Sequence, residues 1–245
     1  MKNRRSRRSP VERIRPFWMP IALCTALAIG LLVVGLAWPG FQPKHVSVSG
    51  NHRVSRHEIL VRAAIAPHES IWLQNTGEMA SRIAAIPFVG TASVHRLPPA
   101  TIAIVVEERI PFAVLRAGGE AGLVDRALRV LSPPPADSSL PVFVIAAGPL
   151  LDDGTFVKAR DAIALRDDYD AIVAAKIAPA QLAFDRYGGL VVTLHNGLRL
   201  LLGSERDLAQ KVALVNPILS QVVGKERRVA AIDLRAPATP VIVYR

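Results

Sequence analysis

The chain has a single cysteine, Cys24, and it lies inside an apolar run. Nothing beyond that run can form a disulfide or supply a thiolate. Aromatic residues make up only 5% of the sequence, too few for a surface that stacks single-stranded nucleic acid. Histidines are few and scattered. His52 and His57 stand five apart, and His57-Glu58 has no second histidine four residues on, which excludes an H-E-x-x-H zinc helix. A P-loop, a G-x-G-x-x-G loop and a G-x-S-x-G nucleophile elbow are all missing. Asp152-Asp153 is a carboxylate pair, but it precedes an expected helix, and N-capping explains it better than acid–base work. Gly118-Gly119 and Gly188-Gly189 read as turns, and Arg227-Arg228 as a solvated face. The sequence assigns no catalytic, metal-binding or cofactor-binding residue, and the expected protein is not an enzyme.

Charge is missing from a second place. No residue from Phe17 to Trp38 is charged. At 1.5 Å per residue this run spans about 33 Å as a helix, close to the ~30 Å hydrocarbon core of a bilayer. Trp18 and Trp38 stand at its two ends, where indole rings favour the headgroup zone. A cleaved signal peptide would have a shorter apolar region and a small-x-small site after it, and Pro39-Gly40 is a poor cleavage context. Ahead of the run lie seven basic residues, Lys2, Arg4, Arg5, Arg7, Arg8, Arg13 and Arg15, opposed by Glu12 alone. Basic flanks stay cytoplasmic, so the expected arrangement is a basic cytoplasmic tail (1–16), a membrane helix (17–38) and an exported remainder.

The exported part alternates between strand and helix signals. "KHVSVS" (44–49) alternates, and Gly50-Asn51 turns it. Ser55 and Glu58 have capping-box spacing, which predicts a helix from Ser55. A second helix is expected from Asn75 or Thr76 to about Ala85, burying Met79, Ile83 and Ile86, with Pro87 as its stop. Next comes "VHRLPPATIAIVVEER" (94–109), two alternating stretches around Leu97-Pro98-Pro99. It reads as a hairpin with Ile102, Ile104 and Val106 on one face. The order is β-α-α-β-β, and Pro111 marks a domain boundary.

The second module is richer in strands. "FAVLR", "GLVDR", "ALRVL" and "VFVIA" read as short strands, with a proline-rich loop at 132–141. A helix is expected from near Asp153 to about Tyr169, with Phe156, Ile163 and Leu165 buried. "LAFDRYGGLVVTLHNGLRLLLG" is the clearest hairpin, with Asn196-Gly197 as a type I′ turn. Ser204 and Asp207 should start a capped helix carrying Leu208, Val212, Val215 and Leu219 at helical spacing. "VAAIDLR" (229–235) and "TPVIVYR" (239–245) are the last strands. The predicted fold class is α+β.

These elements resemble a known family. The β-α-α-β-β module looks like a POTRA domain. "IPFVGTASVHRLPPATIAIVVEERIPFAVL" resembles the stretch that closes the POTRA domain of the FtsQ/DivIB cell-division proteins. "GLVDRALRVL", "LVVTLHNGLRLLLGSERDLAQKVALVNPIL" and "AAIDLR" resemble segments of that family's second, β-rich domain, in the same order. The resemblance implies a POTRA domain over 44–111 and a β-domain over 112–245. It implies a non-enzymatic divisome scaffold in the inner membrane, enriched at the septum, without cofactors, that holds FtsB and FtsL type partners. The partner strand would add beside the last strand, here Thr239 to Arg245. An aromatic commonly follows the family's D-L-R; here Ala236 stands there, a departure from the family's pattern.

In that last strand Val241, Val243 and Arg245 share one face, and Ile242 and Tyr244 share the other. Pro240 cannot donate a backbone hydrogen bond and suits an edge or a strand's start. Thr239 opens the segment. Tyr244 is the expected anchor, since interface energy concentrates in buried aromatics and arginines. Arg186, at the start of the preceding hairpin, is a further candidate to pair with a partner carboxylate. Two rival readings remain at this point: a POTRA-bearing chaperone or outer-membrane assembly component, and an anchored cell-wall hydrolase. The first normally ends in a membrane barrel, and 112–245 lacks a train of ten-residue amphipathic strands. The second needs a nucleophile or metal constellation, and none is visible.

Overall fold

The computed structural model describes residues 10–146, 151–221 and 229–244. These residues hold five α-helices and twelve strands and divide into two compact units, 1–83 with 91–107, and 84–90 with 108–245. Arg227-Arg228 and Arg245 lie outside the described residues.

The first unit begins with helix α1, Pro10–Leu36. Its stretch Trp18–Leu36 is the one helix among the described residues long and apolar enough to cross a membrane, and none of it is buried. The helix ends two residues before Trp38, which the sequence placed within the span, and a 3-10 turn, Pro39–Phe41, follows. Strand β1 is His45–Ser49. Helix α2, Arg56–Ala63, starts at the expected cap: the Ser55 hydroxyl accepts the Glu58 N–H at 3.1 Å. Helix α3, Thr76–Ala84, is opened by Asn75, whose Oδ1 accepts the Glu78 N–H at 3.1 Å. Ile59, Met79 and Ile83 are buried, as the helical spacing requires, and Ile86, beyond the end of α3, is buried as well. Strands β2, Val89–Leu97, and β3, Thr101–Glu108, complete a sheet of order β1-β3-β2. The central strand β3 runs parallel to β1, with Val48 opposite Ile104. Ile102, Ile104 and Val106 are all buried, so the face predicted from alternation is the core face.

The second unit is one nine-stranded sheet. Its strands are β4 (Pro111–Ala117), β5 (Glu120–Asp125), β6 (Val130–Ser132), β7 (Val142–Ile145), β8 (Pro179–Phe184), β9 (Leu190–Leu194), β10 (Arg199–Gly203), β11 (Val229–Asp233) and β12 (Val241–Tyr244). Their order in space is β12-β11-β10-β9-β8-β7-β4-β5-β6. Pro111 opens β4, a place in a strand that tolerates a missing N–H. Arg109 joins this unit through an ion pair from Nη1 to Asp125 Oδ2 at 2.6 Å. Asp125 is buried, and its other oxygen accepts the Arg129 N–H at 2.8 Å. Helix α4, Arg160–Ala174, packs on β7 and β8, and helix α5, Leu208–Gln221, packs on β10. The core between them holds Phe143, Leu165, Ile172, Leu182, Val192, Leu200, Val212, Val215 and Ile232.

Three local expectations fail here. Helix α4 starts at Arg160, not near Asp153, and no side chain caps it. The Gly154 N–H donates to the Val130 carbonyl, the Val130 N–H to the Thr155 carbonyl, and the Val157 N–H to the Leu128 carbonyl. Residues 154–157 are thus captured as an extended segment beside 128–130, and Gly154 at φ +83° permits the turn into it. Asp152-Asp153 therefore caps no helix. Phe156 and Ile163 are exposed rather than buried; Leu165 is buried as expected, together with Ala162, Asp168 and Ile172.

The second failure is the turn at Asn196-Gly197. Of these two residues only Gly197 has positive φ, +80°, whereas a type I′ turn needs it at both central positions. The Gly197 N–H donates to the Leu194 carbonyl, and the Leu194 N–H to the Leu198 carbonyl, both at 2.9 Å. The loop is three residues with a glycine bulge. Third, Ser204 does not start α5. The helix begins at Leu208, after Asp207 at φ +59°, and the buried Lys211 donates from Nζ to the Ser204 carbonyl at 2.9 Å.

Asp168 is an unusual core residue. It is buried, and its Oδ2 has no hydrogen-bond partner among the described residues. Burial, then the nearby charges of Glu205 and Asp167, push its pKa up to about 6. The folded state holds this proton more tightly than the unfolded chain, whose carboxyl titrates near 3.9. The contribution of Asp168 to stability is therefore most favourable below about pH 4 and is lost as pH rises through about 6. Asp168→Asn is expected to flatten that decline and to raise stability at pH 7.5 by roughly 1–3 kcal/mol. Urea denaturation of the parent and the variant at pH 4.5 and 7.5 measures it. An equal pH dependence in both would show that Asp168 does not titrate in this range.

Candidate functional site: the free edge of the large sheet

Strand β12 is the outermost strand of the nine, and among the described residues β11 is its single neighbour. The two run antiparallel, with Asp233 opposite Val241, Ile232 opposite Ile242, Ala231 opposite Val243 and Val229 opposite Tyr244. Val-Ile-Val-Tyr suits a pleated, half-buried surface because three branched chains and a ring pack well there. Ile242 packs against the core cluster. Val241, Val243 and Tyr244 are exposed by 55%, 42% and 57%. In an antiparallel pair, alternate residues turn their N–H and C=O groups away from the neighbour. On β12 these groups face outward, and residues 239–244 carry no charge. Proteins commonly guard such an edge with lysine or an inward-pointing charge. Here the edge combines outward-facing backbone groups, without a partner strand among the described residues, with exposed apolar side chains, which is what strand addition uses.

The end of the sheet where β12 begins carries charge. The Arg235 guanidinium grips Asp233, donating from Nε to both carboxylate oxygens at 3.0 Å. This hydrogen bond holds the Asp233 carboxyl below its usual range. Asp185, in the turn between β8 and β9, accepts the N–H groups of Tyr187 and Gly189 on Oδ1 at 2.8 Å each. Those two bonds, with help from Arg235 and Arg186, keep its carboxyl low as well. Arg186 lies 4.7 Å over the exposed Tyr187 ring.

Of the residues singled out from the sequence, Val241, Ile242, Val243 and Tyr244 form the edge strand itself. Thr239 precedes it in a turn, its N–H bonded to the Ala236 carbonyl at 3.1 Å. Arg186 belongs to a different turn, where Arg235 is its electrostatic neighbour through Asp185. Arg245 falls outside the described residues. Sequence reasoning missed the Asp233–Arg235 clasp and the Asp185–Tyr187 turn. The signals were present, in the D-L-R stretch and in the D-R-Y-G-G turn, but only pairing between distant strands brings them together. Among the described residues no group of three or more His, Cys, Asp or Glu is placed to hold a metal ion.

Comparison with known proteins adds to this geometry. Residues 41–109 match the family model "POTRA domain, FtsQ-type", and residues 113–235 match "Cell division protein FtsQ/DivIB, C-terminal". The chain is 29% identical over 205 residues to the cell division protein FtsQ of Mycolicibacterium smegmatis, covering 83% of this chain and 59% of the relative. It is 28% identical over 199 residues to the FtsQ of Rhizobium meliloti, covering 80% of this chain and 60% of that one. The chain thus spans about three fifths of the length of these two relatives.

Proposed function

Because the chain belongs to the FtsQ/DivIB family of cell-division proteins, we propose that it is a non-enzymatic divisome scaffold whose edge strand β12 takes up a β-strand from a partner. The partner class is that of FtsB and FtsL. Residues 44–111 act as the POTRA domain and 112–245 as the β-domain, with the N-terminus cytoplasmic and both domains exported. The protein works at the septum of the inner membrane. One observation carries this reading: an uncharged, exposed strand stands at the free end of a nine-stranded sheet. Val241, Val243 and Tyr244 would line the added strand, Ile242 would hold β12 to the core, and Thr239, Arg186 and Arg245 would flank it.

The experiment that tests it places a photoreactive amino acid at Val243 in dividing cells and identifies adducts by mass spectrometry. The expected adduct is a small single-span division protein of the FtsB or FtsL kind. The same probe at Ser132, half-buried in β6 at the opposite end of the sheet, should give none. Adducts at Ser132 and none at Val243 would place partner binding elsewhere.

A further inference from the structure

Where the chain leaves α1, Trp38 is exposed, and so are Trp72 and Leu73 of a loop fastened to the same segment. Trp38 lies two residues beyond the helix end, and its indole covers Gly40 so closely that a Cβ there would lie 2.7 Å from the ring. Phe41 closes the 3-10 turn and meets the Trp72 ring edge-on at 6.3 Å between centroids. The Ile71 N–H donates to the Phe41 carbonyl at 2.8 Å, and Gln42 Nε2 to the His68 carbonyl at 3.2 Å. The loop bearing Trp72 and Leu73 is therefore fastened to the segment that follows α1.

The loop is also rigidly built, and its polarity is inverted. Ser70 and Gln74 are buried, while Trp72 and Leu73 are 41% and 53% exposed. Gln74 Nε2 donates to the carbonyls of Ala66 and Glu69 at 2.9 and 3.0 Å. From β2, Arg96 donates to the carbonyls of Ile71 (2.7 Å) and Gln74 (2.6 Å). Buried polar side chains thus hold two large apolar ones in the open, an arrangement that disfavours water as their final surroundings.

We propose that residues 70–73 form an interfacial anchor: Trp72 and Leu73 sit in the headgroup zone of the same bilayer that α1 crosses. The inference rests on reading α1 as a membrane span. Covalent reach supports it. Phe41 is three residues from Trp38, so at most about 10 Å separate them, and the headgroup zone on each side of the core is about 5–7 Å thick. Tryptophan favours that zone because its ring is apolar and its N–H is polar. The occupant is lipid, since the loop is bonded to the segment that leaves the span, within a few residues of Trp38. The anchor would fix how the first unit stands on the membrane.

The test uses the full chain in lipid nanodiscs that contain phosphatidylcholine brominated near the top of its acyl chains. The chain has three tryptophans, Trp18, Trp38 and Trp72. A variant with Trp18→Phe and Trp38→Phe leaves Trp72 as the sole emitter, and one with Trp18→Phe and Trp72→Phe leaves Trp38. Both emitters are expected to be blue-shifted and quenched by the bromines, and adding Leu73→Asp to the Trp72 variant should relieve its quenching. If Trp38 is quenched and Trp72 is not, the anchor is wrong while the span stands. This includes a Trp72 that is shielded from water but not quenched, which would point to a protein partner. If Trp38 is not quenched, the span reading fails and the anchor with it.

Discussion

Replacing Ile242 by proline is expected to abolish binding of the FtsB and FtsL type pair while the rest of the second unit stays folded. Strand β12 has four residues, and Ile242 stands opposite Ile232 on β11. Proline there removes an N–H and forces a fixed φ, so either the ladder to β11 or the outward edge loses a bond. The other eight strands keep their partners, because β11 still pairs with β10. Ile242 touches the core, so some loss of thermal stability should accompany the change. Tyr244→Ala separates the two effects. Its side chain is mostly exposed, so stability should barely move. A buried aromatic anchor at an interface is worth about 2 kcal/mol or more, roughly a 30-fold loss of affinity. Titration calorimetry of the full chain in detergent against the purified pair reads the affinity, and circular dichroism reads the fold. Binding by both variants at the parent's strength would rule out strand addition at β12.

Ile104→Asp should unfold the first unit. Ile104 is buried at the centre of β3, the middle strand of the three, opposite Val48. Its removal forfeits about 1.5–3 kcal/mol of burial, and an unpaired carboxylate in its place adds several kcal/mol more. Against a domain stability of about 5–15 kcal/mol the sum is large enough to empty the native state or nearly so. Thr101→Lys, on the opposite face of the same strand, should leave the unit folded because a long side chain there can reach solvent. Hydrogen exchange of residues 45–106 in the two variants distinguishes them. Similar protection in both would show that the β3 faces are misassigned.

The faces of β3 follow from alternation alone, since a strand's side chains have a period of two and one face must be buried. That β12 is an edge depends on the order of nine strands, and nothing within "TPVIVYR" states it. Parallel pairing of β10 with β11 sets that order, and the segment between them includes the whole of α5.

Signals confined to a few residues were decided by the sequence. The apolar run of α1, the Ser55 cap with its bond to the Glu58 N–H, the stop at Pro87 and the β3 alternation all rest on neighbours within one turn or one pleat. So does the α+β class, and the collinear likeness to the FtsQ/DivIB proteins is itself a property of the chain's order. The tertiary structure decided what depends on partners far along the chain. Residues 154–157 had helix-like surroundings in sequence, but the backbone of 128–130 claims their hydrogen bonds, so α4 begins later. Asp168 is polar by sequence and buried by packing, which raises its pKa. Trp72 and Leu73 are apolar by sequence and exposed by a loop that Gln74 and Arg96 hold in place. Local preferences are worth tenths of a kcal/mol to about 1 kcal/mol per residue, while burial and long-range pairing supply the larger share, so wherever the two conflict the distant partner prevails.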